Sequence, residues 1–333
     1  MIRGVGLGFF CFLALLSRSW AAQTSASSKT SASAVSADPL QQAIADLKNP
    51  DVAPRQEAVQ KLSQLRDPRS VPALIESLKD SNSAVRAAVI DALGLLRARQ
   101  ASQAIGELLL KDADAQVRQA CAISLGYIRD SQTISSLIAG LKDPSEGVRH
   151  AVIRTLSLFR TSESLKALMG SLEHKDPTMR RAAAEALGEL GMEEALPALA
   201  NHLEEPDPFF RQTVANALGR FSGTKAVEPL KKLLSDKDSN VKLEAAHALA
   251  GMQENVGADI ALRSLTDPSP GIRQKAADIL GMVGDKDKAY SALQKAWKDE
   301  KDLGTKHVFE LKLNQLRAKH RIKEKTDIEK TKN

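Results

Sequence analysis

A chain of 333 residues with 43% apolar but only 4% aromatic residues can bury a large core, one built from Leu, Ala, Val and Ile, and that palette disfavours sheet architectures. Two cysteines, Cys11 and Cys121, with the first inside an N-terminal apolar run, exclude a disulfide-held scaffold. The formal net charge is +6, and residues 286–333 alone hold 14 Lys/Arg against 8 Asp/Glu, so the remainder is neutral.

Residues 1–21 read as a secretory signal peptide. Arg3 is followed by an apolar run from Val5 to Leu16, and Ser19-Trp20-Ala21 supplies a small-x-small cleavage pattern. The run is shorter than the roughly 20 residues that span a bilayer. Gly8-Phe9-Phe10 before Cys11 lacks the small residues of a lipid-attachment signal. A periplasmic or secreted soluble product is therefore expected. Residues 22–37 are rich in Ser, Ala and Thr without apolar periodicity, which predicts a flexible linker.

From residue 38 to 298 a repeat takes over. The motif apolar-basic-x-x-small places its basic residue at Arg55, Arg86, Arg118, Arg149, Arg180, Arg211, Lys242 and Arg273, with steps of 31 residues and a single step of 32. Seven positions after each stands a leucine: Leu62, Leu93, Leu125, Leu156, Leu187, Leu218, Leu249 and Leu280. A second leucine series, Leu47, Leu78, Leu109, Leu141, Leu172, Leu203, Leu234 and Leu265, precedes it in each unit. Each unit holds two apolar-periodic stretches around a polar turn, which predicts a helical hairpin. Asp176-Pro177 and Asp207-Pro208 give N-cap acceptors followed by proline, while Gly188, Gly191 and Gly223 punctuate the far ends. One hairpin cannot bury its own apolar face, so successive units must stack.

The stretch Asp176-Pro-Thr-Met-Arg-Arg-Ala-Ala-Ala-Glu-Ala-Leu-Gly-Glu-Leu190 resembles the second helix of the HEAT-repeat family, in particular its short variant in phycobilin-lyase-like repeat proteins. The resemblance implies an all-α fold: a right-handed α-solenoid, or superhelix, of about eight two-helix HEAT-like repeats over 38–298. A C-terminal capping helix and basic tail are expected over 299–333, the cap presenting Phe309, Leu313 and Leu316. It also implies that the recurring Arg and Asp residues form a buried ladder between inter-helix turns. Pro54 before Arg55, and Ser157 and Ala250 in place of the usual glycine, depart from the pattern.

No catalytic constellation stands out. His150, His174, His202 and His247 lie in different units, and no His-x-x-x-His, Cys-x-x-Cys, Gly-x-Ser-x-Gly or P-loop spacing occurs. Metal hydroxylases with this type of repeat carry paired His-Glu steps, whereas here only the reversed Glu173-His174 appears. Cys121 occupies a position held by Val or Ala in other units, which predicts a small buried hydrophobe. No cofactor or metal is expected, and the alternative, a lyase-like enzyme or enzyme accessory holding a prosthetic group, rests on the family resemblance alone.

Counting from the basic residue, positions +3, +4, +7 and +10 of the second helix are apolar or small and face the core, which leaves +1, +5 and +9 on the opposite side. In solenoids of this family that side usually lines the concave surface. The line contains Leu95 in unit two; Gln119, Ile123 and Tyr127 in unit three; His150, Arg154 and Leu158 in unit four; Arg181, Glu185 and Glu189 in unit five; and Gln212, Asn216 and Arg220 in unit six. Leu95, Ile123, Tyr127 and Leu158 make an apolar patch beside a polar one, and exposed apolar clusters mark interfaces. A non-catalytic scaffold or adaptor that binds a protein is the function expected. Nucleic acid is disfavoured by export and by the acids interspersed in the basic run Arg317–Lys325, which allows at most a weak contact with anionic membrane.

Overall fold

The computed structural model describes residues 38–322; the signal-peptide and linker expectations, together with residues 323–333 of the tail, lie outside them. Residues 39–322 belong to one compact body.

Among the described residues there are only helices and turns, arranged as consecutive hairpins. They are α1 (Pro39–Asp46) with α2 (Val52–Leu65), α3 (Val71–Ser77) with α4 (Ser83–Leu95), α5 (Ser102–Lys111) with α6 (Ala115–Ile128), and α7 (Ile134–Gly140) with α8 (Glu146–Leu156). Next come α9 (Ser162–Ser171) with α10 (Pro177–Leu190), α11 (Leu196–Ala200) with α12 (Pro208–Gly219), α13 (Val227–Leu233) with α14 (Ser239–Gly251), and α15 (Ala258–Ser264) with α16 (Pro270–Val283). Each second helix packs on its own first helix and on the second helices of both neighbouring units. This is the expected α-solenoid.

All eight +7 leucines are fully buried. The core runs through the stack as two clusters that meet on α14. Asp176 accepts from the Thr178 N–H and Asp207 from the Phe209 N–H, as their N-cap positions predict. Gly191 closes α10 with φ of +61°, the left-handed conformation glycine adopts without strain. Gly188 has a different role from the punctuation expected of it. It lies inside α10, where an added Cβ would stand 2.8 Å from Ala217 Cα on α12, so its missing side chain lets the two helices approach.

The stack ends with one hairpin more than the repeat motif indicates. Helices α17 (Lys288–Asp299) and α18 (Leu303–His320) form a ninth hairpin, and α18 packs on α16. Phe309, Leu313 and Leu316 are buried there, so the expected cap forms as the second helix of a further unit. No described helix is long and apolar enough to cross a membrane.

The basic residues of the repeat build the ladder. Arg55 donates Nε and Nη2 to Asp80 at 2.7 and 2.9 Å, and the same two-pronged contact joins Arg86 to Asp112, Arg118 to Asp143, Arg211 to Asp236 and Arg273 to Glu300. Nη1 of each arginine donates to carbonyls of its own inter-helix turn, such as Asn49 and Pro50 for Arg55. Each acid in turn accepts a backbone N–H two residues on, for example Asn82 N–H to Asp80. One guanidinium thus closes its own turn and grips the next.

These contacts hold the carboxyls below their ordinary range: hydrogen bonds from Arg55, Arg211 and Arg273 dominate at Asp80, Asp236 and Glu300, whereas at Asp112 and Asp143 burial pushes up most strongly and is outweighed by the Arg86 and Arg118 hydrogen bonds, the backbone N–H bonds and the positive charge acting together. A carboxyl depressed in the folded state binds fewer protons than in the unfolded chain. Its stabilisation is therefore complete above the unfolded value and is lost as pH falls through the folded one. Urea midpoints should be level from about pH 7 to 5 and fall steeply on further acidification; an unchanged midpoint at pH 3 would contradict the ladder.

Among the described residues three rungs are missing, one at Lys242, which forms no ion pair, and two in succession at Arg149 and Arg180. His174 stands where the acid of unit five belongs, and its Nδ1 accepts the Asp176 N–H in the carboxylate's place. Arg149 still closes its own turn onto the Asp143 and Pro144 carbonyls, but the one acid it reaches is Asp176, at 3.8 Å, and its Nε is buried without a partner. In the next unit Glu205 turns to His202, at 3.2 Å, while Arg180 lies over the Phe210 ring and its Nε is also unpartnered. The first break coincides with Ser157, which replaces the close-approach glycine and bonds Glu189 on α10. His174→Asp should supply the missing acceptor and raise stability by about 1 kcal/mol, the net worth of a charge-assisted bond after desolvation. A drop in the urea midpoint of this variant would show that the joint between units four and five is built around the histidine.

Candidate interaction surface

The outward side of the second helices is set by the same periodicity that fills the core. On α6, Cys121, Ala122, Leu125 and Ile128 at +3, +4, +7 and +10 are buried. Burial pushes the Cys121 thiol well above its ordinary range, as befits a small core hydrophobe. The opposite side carries Ile123 at +5 and Tyr127 at +9, exposed to 42% and 52%.

The structure divides the thirteen residues expected along this side. The apolar members are open: Leu95 on α4 is 47% exposed and Leu158, just after α8, is 41% exposed. Leu158 reaches across to α6, where its Cδ1 would meet a Cβ at Gly126 at 3.1 Å, so it sits beside Tyr127. Arg154, Glu185, Glu189, Asn216 and Arg220 are exposed as well. The +1 residues, by contrast, are half-buried and serve the stacking. His150 Nε2 stands 3.2 Å from Thr178 Oγ1, and Arg181 Nη1 donates to Asp207 at 3.1 Å. Gln119 lies against Gly147, whose Cβ would meet its Oε1 at 2.9 Å, and Gln212 is half-buried at the equivalent place on α12. These four belong to inter-unit joints more than to an open face.

Asp91, at +5 on α4, is an addition that the apolar reading of unit two passed over. It is exposed by surface area, yet surrounding protein pushes its carboxyl up and no cation faces it, the combination produced where a surface curves around a group. Its signal was the +5 register itself.

Grooves of about 260 to 450 Å³ lie elsewhere, at the joints between successive units, and none contains a residue of this face. Among the described residues no group of three or more His, Cys, Asp or Glu side chains is placed to hold a metal ion.

The HEAT repeats family model matches residues 37–126, 102–184, 134–208, 170–250, 199–265 and 230–313. The chain belongs to the HEAT-repeat family. Comparison with curated proteins gives no match. Among solved structures, YibA of Escherichia coli is similar over 78% of this chain and 95% of its own, at 20% identity and a TM-score of 0.52. An engineered protein is similar over 84% and 89%, at 21% identity and a TM-score of 0.43. Human deoxyhypusine hydroxylase in complex with glycerol is similar over 73% and 94%, at 22% identity and a TM-score of 0.33. At such identities the likeness concerns the fold alone, and function has to be argued from the surface.

Proposed function

We propose that the protein is a non-catalytic scaffold or adaptor of the cell envelope, exported by residues 1–21, that holds a protein partner against its second-helix face. One observation carries this reading: Leu95, Ile123, Tyr127 and Leu158 stand 41–52% exposed on the adjoining units of α4, α6 and α8, where a lone surface protein would lose solubility by showing a contiguous apolar patch. An interface centred on a tyrosine and aliphatic neighbours is the arrangement that concentrates binding energy.

Affinity capture from the cell-envelope extract of the source cell tests it. The Ile123→Ser/Tyr127→Ser variant should recover at least tenfold less partner while its unfolding free energy moves by no more than about 0.5 kcal/mol per site, the range for surface changes. Equal recovery by both proteins would move the site off this face, and a large stability loss would place the two residues in the fold's own packing.

A further inference from the structure

The +5 position of successive second helices reads Asp91, Ile123, Arg154, Glu185 and Asn216 on α4, α6, α8, α10 and α12. Among the described residues, the side chains of Asp91, Arg154 and Glu185 make no hydrogen bond and no ion pair, although all three are exposed on one continuous face. Further along the same face the charges are closed internally. Arg220 pairs with Glu189, Glu244 is held by Lys275 and Asn216, and Lys312 pairs with Asp278. At the other end α2 offers only Gln56, Gln60 and Gln64 at +1, +5 and +9. The open charges on this face are thus confined to α4–α10, beside the exposed Leu95, Ile123, Tyr127 and Leu158, and they alternate in sign.

From this pattern we infer that the face reads an extended polypeptide segment whose side chains run basic, apolar, acidic, basic from α4 to α10; the inference rests on the partner-binding reading of the same face. Packed helices stand roughly 8–10 Å apart. An extended chain advances roughly 3.3 Å per residue, so a segment crossing the helices presents about one side chain in three to each. A cationic side chain then faces Asp91, an apolar one enters between Ile123 and Tyr127, a carboxylate faces Arg154 and a second cation faces Glu185. Each open charge gains a partner beside apolar surface, where water screens it less than in bulk. Opposite charges in this order also set the register of the segment, and the inverted order meets like charge at three of the four helices.

Two fluorescein-labelled ten-residue peptides test the rule with the full-length protein by fluorescence anisotropy. One has Lys at positions 1 and 10, Leu at 4 and Glu at 7, with Gly and Ser between; the other exchanges every Lys and Glu. Peptides this short form no stable helix alone, so binding reports the extended form. The first peptide should bind at least tenfold more tightly, against the direction favoured by the protein's net charge of +6, and the preference should shrink at high salt. The Asp91→Lys/Arg154→Glu/Glu185→Lys variant should reverse the preference with its unfolding midpoint unchanged. Equal binding of the two peptides, a preference for the inverted one, or binding of neither overturns the inference. If the peptides fail while Ile123→Ser/Tyr127→Ser still loses its partner, the face binds by another rule and the scaffold reading stands; if partner capture is also unaffected, both fall.

Discussion

Arg211→Ala lowers the free energy of unfolding by about 3–5 kcal/mol, the cost of breaking a buried pair from one side. Arg211 is 2% exposed and holds Asp236 through two bonds of 2.7 Å while closing its own turn onto the Glu205 and Pro206 carbonyls. Its loss leaves a buried carboxylate with only the Asp238 N–H as donor, and two turn carbonyls without the guanidinium. Most of the cost therefore lies in what is orphaned, and Arg211→Met/Asp236→Leu should recover a substantial part of it, since apolar replacements of a buried pair are often neutral. Arg69 gives the contrast: it also grips an aspartate, Asp67, but its side chain is 65% exposed, and its removal should cost no more than about 1 kcal/mol. Urea denaturation followed by far-ultraviolet circular dichroism separates the two. A loss below about 1 kcal/mol at Arg211 would mean that the ladder is decoration on a fold held by apolar packing alone.

Gly188→Val is the second large effect. The glycine's Cβ position stands 2.8 Å from Ala217 Cα and 3.1 Å from Ala217 O, backbone atoms that cannot rotate away, so α10 and α12 must separate along their length. Overpacking of this kind costs about 3 kcal/mol, the upper end of its usual range. Gly170, near the end of α9, has nothing within 4 Å of its Cβ position, and Gly170→Ala should instead stabilise by about 0.5 kcal/mol through helix propensity. The same measurement reads both signs. A neutral Gly188→Val would show that the second helices are not held in close contact at that point.

The fold was legible because the repeat constrains what must be buried. A leucine at +7 in eight successive units had one possible environment, and all eight are fully buried. The ladder of recurring Arg and Asp was legible through the family resemblance, but its breaks were not, since the acid sits in the following turn and its replacement by His174 leaves the arginine motif of Arg149 intact. The ninth hairpin was hidden by a change of spacing: Lys306 follows Arg273 after 33 residues with Leu313 seven positions on, and Lys306 Nζ still reaches the Glu300 carbonyl of its own turn, at 3.5 Å. For the outward face, the register correctly separated core from surface on each helix. It could not show that the +1 side chains are drawn into neighbouring units, because that depends on how far each helix slides against the next. Nor could it single out Asp91, whose importance comes from its carboxylate having no hydrogen-bond or ion-pair partner among the described residues and not from any feature of its own unit.

Placement of a photo-crosslinking side chain at Tyr127, beside a control protein carrying it at Leu303, which is 83% exposed at the start of α18, tests the central claim most directly. Irradiated in the cell-envelope extract, the Tyr127 protein should join one discrete partner polypeptide and the Leu303 protein should not. Joining from Leu303 alone, or indifferently from both, would place the partner elsewhere on the solenoid and contradict the account.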